Sequence, residues 1–187
     1  MILVTGFVGC SLVSHQELFT VKSGMDGWNK NYSGKYVCET HHGIFKATLP
    51  FLGWTGAKYG LPFIPLGLFP INGHNFDSTK YTRFELMLET VADKDSIIID
   101  VRRVKAILAV GDTIPGVNDD MGPGLIRGDG KWFNISTFYF NIPFNRTKAF
   151  TVDFGEAIIG KKYFQVPPLE IERDNYTVWE PIIVPTN

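Results

Sequence analysis

The sequence predicts an all-β chain, folded as an antiparallel β-sandwich of the immunoglobulin-like or a related kind, with long Pro/Gly-rich loops between its strands. Three observations carry that expectation. Apolar side chains recur at every second position in the best-defined segments, the spacing of a strand with one buried and one wet face. No segment shows a convincing helical stripe. Aromatic residues make up 14% of the chain, and such residues suit a pleated, half-buried surface.

Tyr81–Thr90 is the clearest strand, with Phe84, Leu86 and Leu88 alternating against Glu85, Met87 and Glu89. Lys148–Phe154 repeats the pattern through Phe150, Val152 and Phe154, and Trp132–Ile142 precedes it across a turn at Asn145-Arg-Thr. Lys35–Thr40 and Ile44–Leu49 read as two strands around His41-His42-Gly43. Ser96–Arg102 and Val104–Val110 are β-branched runs. Asp93-Lys94-Asp95 is the turn expected to pair the first of them with the preceding strand. Tyr163–Val166, Leu169–Glu172 and Tyr176–Val184 complete a set of roughly eight or nine strands. Two long stretches read as loops. Gly111–Gly130 is dense in turn residues, and Pro50–Asn75 is read as a wandering segment with an edge strand near Phe63–Leu68, because Pro62, Pro65 and Pro70 bar a helix or a central strand.

In organisation, residues 1–9 read as the remnant of a signal peptide, 10–33 as a tether with a helical turn at Leu12–Phe19, and 34–187 as a single β domain. The competing reading of 1–9 is a buried N-terminal strand. Net charge is −1, and the densest basic cluster, Arg102, Arg103 and Lys105, is too small to hold a phosphate backbone, so nucleic acid is not expected as a partner.

No catalytic residues are expected. The chain lacks a G-x-S-x-G elbow, and Gly130-Lys131 and Gly34-Lys35 are followed by aromatics where a phosphate loop needs Ser or Thr. No cofactor and no metal are expected either. His41 and His42 read as an exposed turn, and Asp112, Asn118, Asp119 and Asp120 as a solvated loop whose spacing does not fit a calcium loop. Glu85 and Glu89 read as an outward-facing acidic stripe. Arg127-Gly128-Asp129 is a weak adhesion tripeptide in a turn. Sequons at Asn31, Asn134, Asn145 and Asn175 matter only for a secreted glycoprotein.

Phe7-Val8-Gly9-Cys10 resembles the lipobox of bacterial lipoproteins, with Gly9 and Cys10 matching well and Phe7 standing where the family usually has Leu. The resemblance implies lipidation of Cys10 and a membrane partner reached through that anchor. Ser11, next in line, looks like the outer-membrane address of the family, on the periplasmic face. A Cys10–Cys38 disulfide is the competing reading and would exclude lipidation.

Tyr59-Gly60-Leu61-Pro62-Phe63-Ile64-Pro65-Leu66 is similar to stretches in small uncharacterised cell-envelope lipoproteins, and Gly160–Glu172 looks like their C-terminal sheet. That likeness implies no known activity. The aromatics of the Pro50–Asn75 segment, Trp54, Tyr59, Phe63 and Phe69, are the expected anchors for an envelope protein partner. The alternative is that they cap the open end of the sandwich. The expected function is thus structural or partner-binding rather than enzymatic. A carbohydrate-binding module using Trp54, Trp132 and Trp179 is the second reading, an enzyme of unfamiliar design with Asp, Glu or His on the two long loops the third, and a secreted eukaryotic or viral glycoprotein the fourth.

Overall fold

The computed structural model describes residues 8–22, 27–60, 67–70, 83–93, 96–120, 125–126, 129–144 and 146–184. Among them the chain is all-β, built from antiparallel sheets, with one 3-10 turn and no α-helix. It divides into two compact units, one of residues 1–18, 51–77 and 174–187, the other of 19–50 and 78–173.

The first unit contains most of β1 (Val8–Val21) and of β17 (Leu169–Val184), together with β5 (Phe51–Gly60) and β6 (Gly67–Pro70), in the order β17-β1-β5-β6. Three expectations are corrected here. Leu12–Phe19 is strand, not a helical turn: its backbone pairs antiparallel with β5 from Ser11↔Gly60 to Leu18↔Phe51. That partner lies far along the chain, so local composition carried no sign of it. Phe51–Gly60 is also strand rather than wandering loop, because this stretch contains no proline. The prolines fall outside that stretch, and Pro70 sits on β6, the edge strand where a missing N–H is tolerated. Leu169–Glu172 and Tyr176–Val184 are not two strands: Leu169–Val184 is one continuous strand.

The second unit is a sandwich. One sheet runs β10 (Thr113–Pro115), β9 (Lys105–Leu108), β14 (Ala149–Asp153), then the parts of β17 and β1 that belong to this unit. The other runs β11 (Val117–Asp120), β13 (Trp132–Asn141), β7 (Arg83–Ala92), β4 (Gly43–Thr48), β3 (Tyr36–Thr40) and β2 (Asn29–Lys30), with β12 (Leu125–Ile126) also on β13. A third, smaller sheet is ordered β16 (Lys162–Gln165), β15 (Glu156–Ile159), β8 (Ile97–Ile99).

The alternation along β7 and β14 places the core. Phe84, Leu86 and Leu88 from β7, Phe138 and Phe140 from β13, and Phe150 and Val152 from β14 are all buried. Phe84 meets Phe19 and Phe150 of the opposing sheet edge to face, at 5.0 and 4.9 Å between ring centroids. Each such ring removed from water stabilises the fold by about 2–3 kcal/mol. Trp28 closes part of this interior. Its indole N–H donates to the Pro167 carbonyl at 3.1 Å, and its ring lies 6.0 Å from that of Phe154. Gly27 precedes it at φ 92°, a left-handed conformation that suits glycine, and a Cβ added there would lie 3.2 Å from Pro167 Cγ.

Two connections differ from expectation. β8 does not form a hairpin with β7; β7 lies between β13 and β4, so both its edges are taken, and β8 pairs with β15 instead. Gly111–Gly130 is not one long loop, since β10, β11 and β12 lie within it. These short strands borrow their order from longer neighbours: β10 pairs with β9, and β11 and β12 with β13. A segment ordered by a partner needs no apolar alternation of its own.

Candidate functional site

Cys10 lies on β1, one residue before Ser11 enters its pairing with Gly60. Of the expected partner anchors, Trp54 and Tyr59 stand on β5 and Phe69 on β6. Tyr59 is in register with Leu12 on one side and Phe69 on the other, and Trp54 with Gln16. The fold thus brings Tyr59 and Phe69 to adjacent strands of one sheet. Phe63 lies outside the described residues. Trp179 is on β17 and Trp132 begins β13, where it is half-buried in register with Ala92 and Ile126.

Cys38 is a free thiol, buried at 2% exposure on β3 beside Gly27. It packs as a small apolar residue, and burial pushes its thiol pKa up, so it stays protonated.

His41 and His42 form the two-residue turn between β3 and β4, and both are exposed. Thr40 locks that turn. Its hydroxyl accepts from the backbone N–H of His42 and of Gly43, both at 3.2 Å, and donates to the Gly43 carbonyl at 2.8 Å. A cavity of about 260 Å³ beside the turn is lined by Glu39, His41, His42, Asp93 and Lys131. Asp93 is already paired with Lys131 at 3.0 Å. Among the described residues no group of three His, Cys, Asp or Glu is placed to hold a metal. Asp112 is exposed just before β10, whereas Asn118 is on β11 opposite Phe138.

Of the sequons, Asn31 uses its side-chain oxygen to hold a turn, accepting from the N–H groups of Ser33 and Lys35 at 3.0 and 2.9 Å. Asn134 is on β13 in register with Thr90. Asn175 is on β17, and Asn145 lies outside the described residues, as do Arg127 and Gly128 of the adhesion tripeptide.

Several other charged side chains pair with one another. Asp100 receives Arg102 at 2.9 Å and Arg103 at 3.6 Å, and the Arg102 hydrogen bond holds the Asp100 carboxyl below its usual range. Arg103 continues to Glu156 at 3.2 Å, and Lys105 reaches Asp153 at 3.6 Å. The basic cluster is therefore largely compensated in place. Glu85 is exposed as expected, but Glu89 is not part of an outward acidic stripe. It is 8% exposed and paired with Lys35. β7 is flanked on both sides, and a lysine from ahead of β3 folds over that position.

One alignment in the small sheet has no signature in the sequence. Ile98, Ile158 and Tyr163 are directly opposite one another on its three strands. Ile98 lies far along the chain from the other two, so only pairing aligns them. Comparison with protein-family models, curated proteins and solved structures finds no match to the chain.

Proposed function

We propose that the chain is a non-enzymatic β-sandwich protein of the bacterial cell envelope, held to the periplasmic face of the outer membrane by acyl chains on Cys10, and that it works by binding another envelope component. The observation that carries this reading is the run Phe7-Val8-Gly9-Cys10, apolar and small-residue-ended, whose last three residues open β1. Because β1 already includes Cys10, an acyl group there would join the first unit's sheet directly. The Tyr59 and Phe69 strands would then stand close to the lipid surface, and these two residues would serve as anchors for a neighbouring envelope protein. The ion pairs of the second unit fit the same role. Carboxylates tied to cations across strands stiffen a scaffold.

Metabolic labelling with an alkyne fatty-acid analogue in a bacterial host tests the anchor. The wild-type chain should take up label and partition with membranes, and Cys10→Ala should do neither. Equal labelling of the two ends the proposal.

A further inference from the structure

We draw no further inference here: the strongest candidate, the groove of about 530 Å³ on the outer face of β2, β3 and β4 lined by Lys30, Val37, Glu39, Ile44 and Lys46, carries charges of both signs, and nothing in the structure shows what covers it.

Discussion

Phe84 on β7 and Phe150 on β14 meet edge to face across the sandwich, with ring centroids 4.9 Å apart and planes at 80°. Both rings are buried, and Phe19 touches each of them, at 5.0 and 5.6 Å. The contact joins two sheets whose strands are far apart in sequence. Phe84→Ala should lower unfolding stability by about 3–5 kcal/mol. Phe150→Ala should cost a similar amount. The double variant should lose less than the two singles together, by about 0.5–1.5 kcal/mol, because the ring pair is lost only once. Urea unfolding of the four proteins measures this, and strict additivity would show that the rings are not coupled.

The same pair shows how far the sequence could be read. Phe84 and Phe150 stand in alternating runs, and an alternating run declares both its strand and its buried face without knowledge of any partner. Hence β7, β13 and β14 were legible nearly to the residue. β1 was not. Ser14, His15, Gln16 and Glu17 have no local reason to be extended, and they are strand because β5 lies alongside. β10 and β11 were hidden for the same reason. The Pro50–Asn75 composition misled by averaging, since its prolines all lie outside Phe51–Gly60. The row Ile98–Ile158–Tyr163 was the least legible feature, because its three members are neighbours only after three strands have paired.

Glu89 and Lys35 form an ion pair in which the carboxylate is 11% exposed at its side chain and the ammonium 32%. Glu89 sits on the face of β7 opposite the Phe84 row, in register with Lys46 and Ile135. Removing Lys35 leaves a nearly buried carboxylate without this partner. Lys35→Met should therefore cost about 1–3 kcal/mol, toward the low end because Lys35 itself is partly hydrated. Replacing both, with Glu89→Leu added, should recover most of the loss. Thermal unfolding of the single and double variants decides it. A double variant no better than Lys35→Met would mean that the pair is not the source of the cost.

Cys38 links stability to alkaline pH. Burial raises its thiol pKa above the ordinary 9.0, so the folded chain keeps this proton when the unfolded chain begins to lose it. Below 9.0 both states hold the proton and the group contributes no slope. As pH rises beyond that, the unfolded thiol ionises first, the folded state binds more protons, and stability falls. Cys38→Ala should flatten that alkaline slope relative to the parent in denaturant titrations at increasing pH. In a Cys10→Ala background, Ellman's reagent should react with Cys38 only as fast as the chain opens. Rapid labelling of the native protein would show that the thiol is accessible.

Gly43 opens β4 directly after the His41-His42 turn, and its position tolerates no side chain. A Cβ there would lie 2.6 Å from the Val91 carbonyl oxygen and 2.6 Å from Ile97 Cδ1, with Ala92 Cβ at 3.4 Å. The first of these is backbone of β7, held in its ladder by β4 and β13, and cannot swing aside. The second is a buried side chain of β8, wedged between the large and small sheets. Gly43→Ala must therefore push β4 away from β7 or drive Ile97 off its rotamer, and should cost about 1–3 kcal/mol. Gly34 is the control. It is left-handed at φ 81°, but a Cβ added there would meet nothing within 4 Å, so Gly34→Asn, a residue that accepts that conformation, should cost much less. Denaturant midpoints at a common slope compare the two. If both substitutions cost the same, the close approach at Gly43 is relieved by movement elsewhere and the strand packing there is looser than these distances require.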